Sequence, residues 1–188
     1  LITAHRRNSR QFCAWETSTF APKFPTKRMK HSDKIRDLAM TVNEGLAAYI
    51  RVHNSIFKEA ASFTSLLKNL FGRGVPMSKL LENAERLVPI WDSISLEMET
   101  FRRTTHSSLS KDEKYYFDIL SRYAVAVRRT VAALVDRQRL MADGSKSRSN
   151  NPVTLDACRQ KEEIYQKAIQ EYTKIGQELN AASPIIFG

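Results

Sequence analysis

The chain is poor in everything that punctuates a helix or builds a reactive centre. Six glycines and six prolines in 188 residues leave room for long uninterrupted helices. Two cysteines, Cys13 and Cys158, are too few for a disulfide scaffold and have neither zinc spacing nor a C-x-x-C motif, so free thiols in a reducing compartment are expected. No apolar run approaches the roughly 20 residues of a membrane span. No secretory leader is visible either, since Ile2 is soon followed by charge. The four histidines, His5, His31, His53 and His106, are scattered, and none has a second metal ligand one helical turn away. No nucleophile elbow, phosphate-binding loop or dinucleotide fingerprint occurs. Glu97 and Glu99 are neighbouring acids, not a positioned catalytic pair. These absences argue against an enzyme and imply no metal or cofactor.

What is present is positive charge and helical periodicity. Thirty Lys and Arg against twenty Asp and Glu give a net charge of +10 and a pI of about 9.8. Leu1–His31 contributes +6 of it, with Glu16 as the only acid. Such basicity suits anionic membrane, nucleic acid or acidic proteins. No nucleic-acid recognition module can be read, so that partner is disfavoured. The first Met is Met29, which fits a fragment, a variant isoform or a mis-assigned start.

Residues 1–31 mix Arg6, Arg7, Arg10, Lys23, Lys27, Arg28 and Lys30 with Phe12, Trp15, Phe20 and Phe24. Pro22 and Pro25 argue against a continuous helix, so a disordered basic tail is expected. A transit-like presequence and a membrane-touching arm are the alternatives. Residues 32–182 read as a helical domain and 183–188 as a short C-terminal tail. Ser32 or Asp33 can cap a first helix, whose apolar face runs through Ile35, Leu38, Val42, Leu46, Tyr49, Ile56, Phe63, Leu67 and Leu70. That face is read as core, with membrane insertion of the first turns as the alternative. The first helix ends at "FGRGVP".

A second pattern starts at Met77 with Leu80, Leu81, Ala84, Leu87, Val88, Trp91, Ile94, Met98 and Phe101. Pro89 should bend it. The stretch "TTHSSLSKDEKYYF" is ambiguous. Ser110 to Glu113 fits a capping box and hence a new helix. Yet there is no Gly or Pro, and the apolar phase carries on through Thr105, Leu109, Tyr116, Leu120, Tyr123, Val127, Val131 and Leu134. Phase continuity favours one long helix over about Ser78–Asp143. A break near Ser107–Ser110 is the alternative. "DGSKSRSNNP" is a basic loop, and a last helix spans about Thr154–Asn180. The expected fold is therefore all-α, with three long antiparallel amphipathic helices, or a four-helix bundle if the break is real. Tyr49, Trp91, Tyr123 and Tyr172 should be core or seam residues.

Four segments, "IFKEAASFTSLLKNLFGRG", "LLENAERLVPIWDSISLEMETF", "ILSRYAVAVRRTVAALVDRQRLM" and "RQKEEIYQKAIQEYTKIGQEL", together resemble the BAR domain of sorting nexins over about Ser32–Ala182. The resemblance implies a coiled-coil dimer, with itself or another BAR-type partner. It also implies peripheral binding to curved, anionic, phosphoinositide-containing endosomal membrane from the cytoplasm, in protein sorting. The membrane-binding residues it implies are Arg122, Arg128, Arg129, Arg137 and Arg139, with Lys146 and Arg148 at the tip. The residues before Ser32 do not resemble the phosphoinositide-binding PX domain of that family, and the third helix is about half the family length. The reading that stands against it is a helical protein–protein interaction module in which the arginines are a solvated face, held in pairs such as Asp118 with Arg122.

Overall fold

The computed structural model describes residues 31–59, 77–145 and 154–188. The helices are α1 His31–Glu59, α2 Met77–Glu85, α3 Leu87–Thr105, α4 Lys111–Ser145, α5 Leu155–Ala182 and the one-turn α6 Pro184–Phe187. No strand occurs among the described residues, so the fold is all-α as expected. The basic tail over residues 1–30, Phe63, Leu67 and Leu70 of the expected first helix, the "FGRGVP" turn, and Lys146 and Arg148 lie outside the described residues.

Helices α2 and α3 are parted only at Arg86, whose backbone stays helical at φ −61°, ψ −20°. Proline explains the position. Pro89 has no N–H to offer the carbonyl of Glu85, and its ring crowds that carbonyl. The Arg86 N–H still reaches Glu82 O at 3.1 Å.

The single helix expected over Ser78–Asp143 is divided. After Thr105 the chain makes one 3₁₀ turn, His106–Ser108, and Leu109 then swings to extended backbone at φ −70°, ψ 148°. Ser110 restarts the helix through a reciprocal capping box. Its backbone N–H donates to Glu113 Oε2 at 2.9 Å, and the Glu113 N–H donates to Ser110 Oγ at 3.2 Å. The apolar phase misleads here for a physical reason. Thr105 and Leu109 are themselves buried in the core at the break, so the turn presents apolar residues inward just as a helix would. At the far end α4 continues through Asp143, past the expected start of the loop.

The ion pairs fix the topology. Between α3 and α4, Arg102 meets Asp118, Asp92 meets Arg128 and Glu85 (on α2) meets Arg139. Between α4 and α5, Arg122 meets Glu178, Arg129 meets Glu171 and Arg137 meets Glu162. Numbers rise on one helix as they fall on the other, so both pairs are antiparallel. Tyr49 on α1 meets Tyr165, and Arg36 meets Ile186, so α1 also opposes α5. The result is an up-down-up-down bundle with α4 packed against every other helix.

Its core contains Ile35, Val42, Tyr49, Ile56, Leu87, Trp91, Phe117, Leu120, Val127, Leu134 and Tyr165, each at most 2% exposed. Ile35, Leu38 and Val42 thus serve the core. Side chains of this size contribute about 1.5–3 kcal/mol each on burial. Gly45 lets α1 approach α3 closely, because a Cβ there would lie 2.6 Å from Ile94 Cδ1 and 3.3 Å from Trp91 Cζ2. The C-terminal "SPIIF" folds back as α6, burying Ile186, with the Arg36 guanidinium donating twice to the Ile186 carbonyl at 2.8 and 2.5 Å.

Charge divides sharply along the chain. The described residues carry 19 Lys and Arg against 19 Asp and Glu, and are formally neutral. The whole +10 belongs to residues 1–30 (+6), 60–76 (+2) and 146–153 (+2).

Candidate functional site

The five arginines of α4 singled out in the sequence fall into two groups. Arg122, Arg128, Arg129 and Arg139 are exposed, and each faces an acid of a neighbouring helix. Arg122 donates to Glu178 at 3.0 Å, and Arg128 donates twice to Asp92 Oδ1 at 2.9 and 2.7 Å. Arg129 lies 3.5 Å from Glu171, and Arg139 donates to Glu85 at 3.0 Å. The hydrogen-bonded partners come from α2, α3 and α5, and Arg139 also has Asp136 of its own helix at 3.8 Å. Asp118, expected beside Arg122, instead lies 3.5 Å from Arg102 and 3.4 Å from His106.

Arg137 has to be corrected. It is 1% exposed and cannot lie on a membrane-facing surface in this fold. Its Nε donates to Glu162 at 2.5 Å, its Nη1 to Gln138 Oε1 at 3.1 Å, and its guanidinium stacks 4.8 Å above the Phe57 ring. The physical reason is register: Arg137 follows Val127, Val131 and Leu134 around the inward face of α4, so the helix turns it into the bundle.

Arg137 belongs to a buried polar cluster linking α1, α4 and α5. Tyr49 and Tyr165 hydroxyls lie 2.7 Å apart, and His53 Nδ1 lies 2.6 Å from Tyr165 Oη. Phe57 stacks on Tyr165 with rings 6° from parallel. Burial, reinforced by the Arg137 charge, holds the His53 pKa below its ordinary value, while Glu162 opposes the shift. With Nδ1 unprotonated, His53 accepts a hydrogen bond from the Tyr165 hydroxyl, which then accepts from Tyr49; the other tautomer reverses both bonds. Burial likewise pushes both phenols up. Burial also raises the Cys158 thiol against the pull of Arg137, which makes it a poor nucleophile. This cluster ties helices α1, α4 and α5 together.

Concave features lie elsewhere: a cleft of about 620 Å³ between α1 and α3 is lined by Lys34, Asp37 and Glu97 among others, and an uncharged one lies between α1 and α5. Helices α1 and α5 stand apart over the first half of α4 and leave a groove of about 480 Å³. Tyr116, Leu120 and Tyr123 of α4 form its floor. Met40, Asn43 and Leu46 line the α1 wall, Gly176, Leu179 and Asn180 the α5 wall, and Phe187 closes one end. No charged side chain lines it. Burial pushes the Tyr123 phenol up to about 12 and raises that of Tyr116, so both stay neutral. Gly176 keeps the groove open, since a Cβ there would lie 3.0 Å from Tyr123 Cε2. Met40 and Phe187 are half-exposed at its rim. Sequence periodicity did not find this site, because Met40, Asn43 and Asn180 sit off the apolar seam. The one available signal was Gly176, a mid-helix glycine far from any cap.

Among the described residues, no group of three or more His, Cys, Asp or Glu could hold a metal, and no helix is long and apolar enough to cross a membrane. Compared with known proteins, the chain matches no protein-family model, no curated protein and no solved structure.

Proposed function

We propose that this protein is a helical protein–protein interaction module whose docking surface is the groove between α1 and α5. The observation that carries the reading is the groove itself: uncharged, tyrosine-floored and flanked by half-exposed Met40 and Phe187. The floor, Tyr116–Tyr123, and the two walls, Ala39–Leu46 and Gly176–Ser183, each span seven residue steps, or about 10 Å of helix. That length suits two turns of an amphipathic helix laid apolar face down. The α4 arginines support the same reading. Four are already engaged by acids and one is buried, so the neutral bundle offers little field for anionic lipid.

The test is a selection of helical peptides from a random library on the full chain. Peptides with an uncharged apolar face should be recovered and should bind Met40→Glu and Phe187→Glu variants at least tenfold more weakly. Peptides insensitive to both substitutions would refute the groove as the docking surface. Cosedimentation with phosphatidylserine vesicles decides the BAR-like alternative. If Arg122→Glu and Arg129→Glu together abolished vesicle binding of the full chain, the membrane reading would replace this one.

A further inference from the structure

The groove needs an occupant, and we infer that the chain supplies its own: the segment Phe12–Phe20, "FCAWETSTF", docks in cis between α1 and α5. The inference rests on the groove being a docking surface and names what fills it first.

Three observations carry it. The first is chemical. Between Arg10 and Lys23 the N-terminal 30 residues contain no Lys or Arg, although they hold seven elsewhere. That gap contains Phe12, Trp15 and Phe20, and its only charge is Glu16. An uncharged groove excludes the basic flanks, because desolvating an unpaired Lys or Arg is costly. It accepts the aromatic interval between them. Met40, Leu46, Leu120 and Phe187 are apolar partners for those rings, and Tyr116 and Tyr123 offer aromatic faces.

The second is reach. Residues 1–30 join α1 at His31. From His31 to Leu46, the far end of the groove on α1, is about 22 Å at 1.5 Å per residue. The eleven residue steps from Phe20 to His31 cover up to about 36 Å. The segment can therefore lie anywhere along the groove without strain. The third is length. Phe12–Phe20 wound as a helix measures about 12 Å, against walls of about 10 Å.

Such an occupant makes docking competitive. A partner helix must displace Phe12–Phe20, which is tethered at high effective concentration. Removing its three aromatic rings should then strengthen binding of the partner. The basic flanks would remain in water on either side of the groove.

The experiment uses the full chain and its native Cys13, which lies inside the segment. Met40→Cys places a thiol on the groove rim, and Leu96→Cys places one on α3 in the separate, partly charged cleft between α1 and α3. Both positions are exposed, at 55% and 69%, so neither substitution should disturb the core. Cys158 is buried and remote on α5. Under mild oxidation, Cys13 should form an intramolecular disulfide with Met40→Cys at least tenfold faster than with Leu96→Cys. Phe12→Ala, Trp15→Ala and Phe20→Ala together should erase that difference. Equal rates at the two positions would overturn the inference, as would a difference that survives loss of the three rings. The groove reading stands or falls separately. If selected peptides bind with Met40 sensitivity while the disulfide shows no preference, the groove docks partners but not this segment. If both fail, the groove is not a docking surface.

Discussion

Replacing Arg137 tests the packing logic most directly, because this residue sits where a charge is hardest to keep. The substitution Arg137→Met retains most of the aliphatic volume and removes the cation. Glu162, 24% exposed at its side chain, then loses its partner at 2.5 Å. Breaking a buried pair costs about 3–5 kcal/mol, and the partial exposure of Glu162 returns some of that to water. Loss of the guanidinium over Phe57 adds about 1 kcal/mol. The expected destabilisation is about 3–4 kcal/mol, or roughly 10 °C in Tm for a domain of this size. Adding Glu162→Gln should bring stability back to within about 1 kcal/mol of the parent, since no orphaned charge remains. Arg128→Ala, which removes an exposed pair with Asp92, should cost less than about 1 kcal/mol. Urea unfolding followed by far-ultraviolet circular dichroism measures all four chains. If Arg137→Met cost no more than Arg128→Ala, or the double variant were as weak as the single, Arg137 would not be a buried, paired cation.

Three further outcomes follow from the geometry. Gly45→Leu should destabilise the bundle by about 1–3 kcal/mol, because the new side chain must displace Ile94 and fully buried Trp91 where α1 crosses α3; thermal melts check this. Ser110→Ala should cost about 0.5–2 kcal/mol through loss of the cap on α4, and Glu113→Ala should cost less, both readable by chemical denaturation. For His53 the folded pKa is depressed, so below about 6.5 the unfolded chain binds the proton first. Its contribution is complete above that pH and is lost as pH falls towards the lowered value. Stability should fall between pH 7 and 5, and His53→Gln should flatten that slope.

Helical class, the seam of α1 and the core roles of Tyr49, Trp91 and Tyr123 were legible because 3.6-residue periodicity is a local signal. The capping box at Ser110 was legible too, yet it was outweighed by apolar phase. Phase reports which residues face inward; it cannot tell a buried turn such as Thr105–Leu109 from a helix. The arginines show a related limit. On α4, Arg137 and Arg139 are two positions apart, yet one is core and one is surface. The acids that hydrogen-bond the α4 arginines come from other helices, at separations of 25 to 56 residues, which no local pattern encodes. The groove was illegible because it is made where two helices fail to touch.

The break at His106–Ser110 carries a kinetic consequence. It joins α3 and α4 through five residues, whereas seventeen separate α1 from α2 and nine separate α4 from α5. Closing the longer of those connections costs roughly 1 kcal/mol more chain entropy than closing the short one. The α3–α4 hairpin is therefore the cheapest native contact to nucleate, and its cap and the Arg102–Asp118 pair lie beside the turn. Substitutions at Ser110 should slow refolding more than they speed unfolding, whereas those in the Arg137–Glu162 pair should act mainly on unfolding.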